Sequence, residues 1–64
     1  MRETELWVRL RAILGAAYAG AWAESVVHAD LGDRTVLQAL GAGIEVKRIW
    51  QVASASLEVP EHQR

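Results

Sequence analysis

Sixty-four residues suffice for one small domain and no more. Cysteine is absent, which excludes disulfides and cysteine-based zinc sites, so a domain this short must rely on efficient helix packing or on self-association. Seven basic against eight acidic side chains give a formal charge of −1, which is not the strongly basic balance of a dedicated nucleic-acid binder. The apolar fraction of 52% is inflated by alanine, but three tryptophans compensate, each able to bury ~150–250 Å². No apolar run approaches the ~18 residues of a membrane span. The opening MRETELWVRL carries acids and lacks the apolar centre of a signal peptide. A soluble, cytoplasmic protein without a membrane partner is expected.

In chain order, the first helix is expected over residues 5–14. Thr4 is a suitable N-cap, and Glu5 complements the positive end of the helix dipole. Leu6, Trp7, Leu10, Ile13 and Leu14 recur at helical spacing and define its apolar face. Glu5 and Arg9, four apart, make an exposed pair. Gly15 is a natural stop.

The second helix is expected across AAYAGAWAESVVHAD, ending near Asp30. Tyr18, Trp22, Val26 and Ala29 form its stripe, with Ala19 and Ala23 beside them and Glu24, Ser25 and His28 opposite. Gly20 costs about 1 kcal/mol relative to alanine, but it would let another helix come close. LGDRT follows as a turn.

Thr35 and Gln38 fit a capping box, so a short third helix starts at Thr35 or just after and ends at Gly41 and Gly43. The fourth helix begins near Glu45 or Val46. Ile44 and Ile49 are placed for a hydrophobic staple if Glu45 is the cap. Val46, Ile49, Trp50, Ala53 and Leu57 form its apolar face, and Lys47, Arg48, Gln51 and Ser54 point away. Pro60 ends it or follows its end, and residues 60–64 are expected to be a flexible tail. No segment alternates as a strand would.

These elements imply an all-α fold. The whole chain, 1–64, is one small bundle of three longer helices plus one short helix, with a helix-turn-helix-like corner at residues 35–57. The expected core is Leu6, Trp7, Leu10, Ile13, Tyr18, Trp22, Val26, Leu31, Val36, Leu40, Ile49, Trp50, Ala53 and Leu57.

RTVLQALGAGIEVKRIW, residues 34–50, carries the sharpest functional question. Ala39, Gly43, Ile49 and Val52 match the pattern of many DNA-binding helix-turn-helix units. A small side chain lets the helices cross, a glycine permits a left-handed turn, and two apolar residues anchor the second helix. In that reading Gln51 reads adenine, Arg48 reads guanine or holds phosphate, and Lys47 holds phosphate. Against it stand a polar Gln38 where such motifs bury an apolar residue, Glu45 where phosphate would be repelled, and the lack of a basic arm. A plain helical corner needs the same alanine and glycine.

His28 with Glu24 would place two metal ligands four apart, but the one other histidine, His62, falls in the expected tail. An exposed Glu–His pair is the simpler expectation, and no metal or cofactor is expected. Trp7, Trp22 and Trp50 are expected to share an aromatic core. Trp7, at the edge of its stripe, is the candidate partner contact. Arg9, Arg11, Arg34, Lys47 and Arg48 would form a basic patch only if the first and fourth helices lie side by side. No nucleophile with a neighbouring base, phosphate-binding loop or paired acids is apparent, so an enzyme is not expected.

The chain resembles a family of short actinobacterial proteins classed only as a domain of unknown function. The resemblance rests on Thr4-Glu5-Leu6-Trp7, Gly15-Ala16-Ala17-Tyr18-Ala19, Leu31-Gly32-Asp33-Arg34-Thr35-Val36 and Gln38-Ala39-Leu40. It continues through Lys47, Ile49-Trp50 and Leu57-Glu58-Val59-Pro60, so it spans nearly the whole chain. Members tend to carry Asp-Pro where this chain has Glu45-Val46, a better helix start, and often an aromatic residue where it has Leu14. The resemblance implies an all-helical, cytoplasmic bacterial protein with no assigned catalytic residues. It also implies a gene neighbourhood shared with a strand-exchange recombinase and its regulator. The expected function is a non-enzymatic module that binds a protein partner or a second copy of itself. The alternative is a helix-turn-helix DNA-binding protein using the helix that starts near Val46.

Overall fold

A computed structural model describes residues 1–60 of the chain. Helix α1 spans Glu3–Leu14. It starts earlier than expected, and Thr4 is not its cap. The Arg2 carbonyl accepts the N–H groups of Glu5 and Leu6, which winds Glu3 and Thr4 into the first turn. Glu3 and Glu5 then both face the positive end of the dipole.

Gly15 ends α1 as expected, at φ +90° with its N–H on the Arg11 carbonyl. Its own carbonyl accepts the N–H groups of Tyr18 and Ala19, so α2, Ala16–Ser25, begins at once. One residue without a Cβ thus closes one helix and opens the next.

The second helix stops at Ser25, short of the expected Asp30. Val26 and His28 are extended, and the His28 N–H donates to the Arg34 carbonyl at 2.9 Å in an isolated antiparallel bridge. Two adjacent β-branched residues, Val26 and Val27, favour that extended backbone. The Ser25 hydroxyl takes the Ala21 carbonyl at 2.6 Å, drawing on the helix's last turn. A 3-10 turn, Ala29–Leu31, and left-handed Gly32 and Asp33 complete the LGDRT reversal.

Helix α3, Val36–Gly41, carries the expected capping box. The Gln38 N–H donates to Thr35 Oγ1 at 3.1 Å, and the Thr35 N–H donates to Gln38 Oε1 at 2.9 Å. It closes in a Schellman turn, with Gly43 left-handed at φ +80° and the Ile44 N–H reaching the Ala39 carbonyl. Helix α4, Val46–Ser56, starts at Glu45, whose side chain makes no capping bond. Ile44 is half-buried against the core and Ile49 fully buried, as a staple requires.

α4 also ends in a Schellman turn. Glu58 sits left-handed at φ +57°, and the Val59 N–H donates to the Ser54 carbonyl at 2.9 Å. That reversal carries Val59 back into the interior, at 6% exposure. Periodicity could not show this, because Val59 lies beyond the helix. Pro60 is exposed, and the remainder of the expected tail, 61–64, lies outside the described residues.

The helices pack in sequence, α1 on α2, α2 on α3 and α3 on α4, and α4 closes back onto α1. Among the described residues the fold is all-α, with three longer helices and one short one. Of the expected core, Leu6, Leu10, Trp22, Leu31, Val36, Ile49, Trp50 and Ala53 are buried, and Trp7, Val26, Leu40 and Leu57 are half-buried against them. Two expectations fail: Ile13 is 43% and Tyr18 55% exposed. The alanines take their places. Ala19, Ala23 and Ala39 are buried at 0–1%, so the helices meet closely and the large side chains at the margins are left outside. Ser54, expected to point outward, is fully buried, its hydroxyl donating to the Gln51 carbonyl at 3.2 Å.

Candidate interaction surfaces

The corner between α3 and α4 has the expected stereochemistry. Ala39 and Ile49 are fully buried, Val52 nearly so, and Gly43 takes the left-handed turn. Lys47, Arg48 and Gln51 are all exposed on α4, with the exposed Glu45 at its start. Gln38 is exposed because its amide serves the capping box, which explains a polar residue at that position.

α1 and α4 do lie side by side, and the Arg9 guanidinium sits 5.4 Å from the centre of the Trp50 ring. The expected pair is present, with Arg9 bonded to Glu5 at 2.8 Å. Arg34 donates to the Leu31 carbonyl at 3.0 Å. Two of the interior basic residues are therefore engaged within the fold, and Arg11 faces elsewhere.

Trp7 is half-buried, unlike Trp22 and Trp50 at 6% and 4% exposure. It lines an open cleft of about 330 Å³ between α1 and α2, together with Arg11, Ala16, Ala19 and Gly20. A Cβ added at Gly20 would meet no atom of the described residues within 4 Å. Residues 12–23, AILGAAYAGAWA, contain no charge, yet the fold buries only part of them. Ala12, Ile13, Ala17, Tyr18 and Ala21 are exposed. Trp7 and the α4 triad therefore belong to separate surfaces. Sequence marks Gly20 as a place for close helix approach and Arg11 as part of a possible basic patch, but it does not bring the two together at one cleft. The signal was the charge-free run itself, too long for a helix that buries one face.

His28 contradicts its expected exposure. It lies beyond the end of α2, so it and Glu24 are not on one helical face and do not form an i,i+4 pair. It is 6% exposed, its ring 5.3 Å from that of Trp22 at 57°. Its Nε2 and the Trp50 Nε1 are buried without a hydrogen-bond partner among the described residues. Burial pushes the imidazole below its ordinary value near 6.5, while the Asp30 carboxylate pulls the other way. Among the described residues no group of three His, Cys, Asp or Glu side chains is placed to hold a metal ion. Nor is any helix of those residues long and apolar enough to cross a membrane.

The model of one protein family, described as a protein of unknown function (DUF3046), matches residues 1–62. The chain belongs to that family. The DUF3046 match takes in α1 through α4, so the cleft and the corner both lie inside the family's extent. No curated protein and no solved structure matches the chain.

Proposed function

We propose that this chain is a non-enzymatic protein-interaction module whose contact surface is the outer face of α2 with the adjoining cleft against α1. One observation carries the reading: α2 has no charge before Glu24, yet it is covered on one side only. A helix apolar all round is normally buried all round. Trp7, half-buried at the cleft, offers the kind of rigid aromatic anchor enriched at binding hot spots. The cytoplasm of an actinobacterium is part of the same proposal, from the sequence resemblance.

A photo-crosslinking residue placed at Ala17, at Ala21 or at Lys47, each exposed, tests this in cells. Protein adducts at Ala17 and Ala21 are expected. Their absence at both positions would overturn the reading. The alternative, a helix-turn-helix DNA-binding protein, is favoured by the joint exposure of Lys47, Arg48 and Gln51 behind the Gly43 turn. DNA adducts at Lys47, with duplex binding that weakens steeply with salt and is lost in a Lys47→Ala, Arg48→Ala double variant, would put that function in its place.

A further inference from the structure

We infer that the occupant of the α1–α2 cleft is a second copy of this chain, with two α2 helices crossing antiparallel about a two-fold axis at Gly20. This rests on the interaction-module reading and names its partner.

Gly20 is the first ground. It sits in the interior of a ten-residue helix otherwise rich in alanine, where glycine is unfavourable. Its backbone is not among the positive-φ glycines. Among the described residues no atom approaches the space a Cβ would fill. Neither backbone conformation nor internal packing demands a glycine there. A second helix coming close from outside would, because the missing Cβ lets two backbones meet.

Charge is the second ground, and it selects a copy of the same chain. Ala16, Gly20 and Glu24 follow one another at i+4 spacing along one row of α2, about 6 Å apart. Arg11 lines the cleft beside Ala16, at the other end of that row. The charge-free stretch is thus bracketed by one basic and one acidic residue, neither with an ion-pair partner among the described residues. A two-fold axis at Gly20 lays Glu24 of each copy against Ala16 of the other, and hence beside Arg11. The contact is self-complementary, as an isologous interface must be. It meets twice, once at each end, and Trp7 flanks it on both sides.

The size of the contact sets the strength to expect. A standard interface takes about 800 Å² per partner, about a fifth of this chain's 4040 Å². One helix and a cleft wall fall below that, so a dissociation constant in the micromolar range is expected.

Sedimentation equilibrium of the full chain over a concentration series tests the inference, with three variants. The wild type is expected to shift from 7.1 kDa toward twice that mass. Gly20→Leu is expected to weaken association more than about tenfold while raising the melting temperature of the dilute monomer, since leucine is the better helix former and has open space. Arg11→Glu and Glu24→Arg should each weaken association, and the double variant should restore it. A chain that stays monomeric at millimolar concentration would overturn self-pairing. In that event α2 adducts with other proteins would still uphold the interaction module, whereas no α2 adducts would remove both. A dimer indifferent to Gly20→Leu, or charge variants that fail to rescue each other, would place the self-contact elsewhere and equally overturn the inference.

Discussion

His28 shows how a single side chain ties the loop after α2 to the core, and what that costs. Its backbone N–H holds the bridge to Arg34, its carbonyl accepts the N–H groups of Leu31 and Asp33, and its ring lies against Trp22. The ring nitrogen Nε2 has no partner among the described residues, and burial makes the folded state disfavour the imidazolium. As pH falls through about 6.5, the unfolded chain takes up this proton before the folded one does, and acid therefore shifts the balance toward unfolding. Urea midpoints at pH 7.5 and 5.5 are expected to differ, with lower stability at pH 5.5. His28→Phe, which keeps an aromatic ring against Trp22, should shrink that difference. An equal pH dependence in both proteins would show that other groups cause it. From sequence alone His28 looked like an exposed partner of Glu24, because the helix was extended through it. The adjacent Val26 and Val27, which end the helix, were the signal against that extension.

The ends of the elements are where local chemistry was most and least readable. The Thr35–Gln38 box was legible because reciprocal capping depends only on residue type at fixed spacing. Thr35→Ala is expected to cost about 1 kcal/mol of unfolding free energy, measured by urea denaturation. Val59 was illegible because its burial depends on Glu58 adopting φ +57°, a conformation glutamate enters at a cost. Glu58→Gly should relieve that strain and stabilise the chain by roughly 0.5–1 kcal/mol. A loss of stability instead would mean that the glutamate side chain holds the end of α4. The start of α4 is similarly open to improvement. Glu45 occupies the cap position without a side-chain bond, so Glu45→Asp is expected to raise the melting temperature. Helical periodicity placed Leu6, Leu10, Trp22 and Ile49 correctly, but it ranked Ile13 and Tyr18 above the alanines. Close helix contact reverses that order, since Ala19, Ala23 and Ala39 allow an approach that larger side chains would prevent.

For the whole molecule, the physics of size and the pattern of charge point the same way. A chain of 64 residues without a disulfide has a thin margin of stability. Placing alanine and glycine on the exposed, charge-free side of α2 ahead of Glu24 adds little to that margin in isolation. Covering the helix with a second copy would add burial where the monomer lacks it, and would couple stability to concentration. Melting temperature should therefore rise with protein concentration, and Gly20→Leu should flatten that rise. The sequence made the helical corner conspicuous and the α2 surface quiet. The corner has residues of recognisable types at recognisable spacing, whereas an interface made of small uncharged residues is known only once the fold shows which of them are left uncovered.

The most direct test is an amide NMR dilution series of the full chain, from millimolar to low-micromolar concentration. Concentration-dependent shifts are expected along Ala16–Glu24 and at the Trp7 indole, with α4 around Lys47, Arg48 and Gln51 unchanged. Spectra independent of concentration along α2, or shifts confined to α4, would contradict the assignment of this surface.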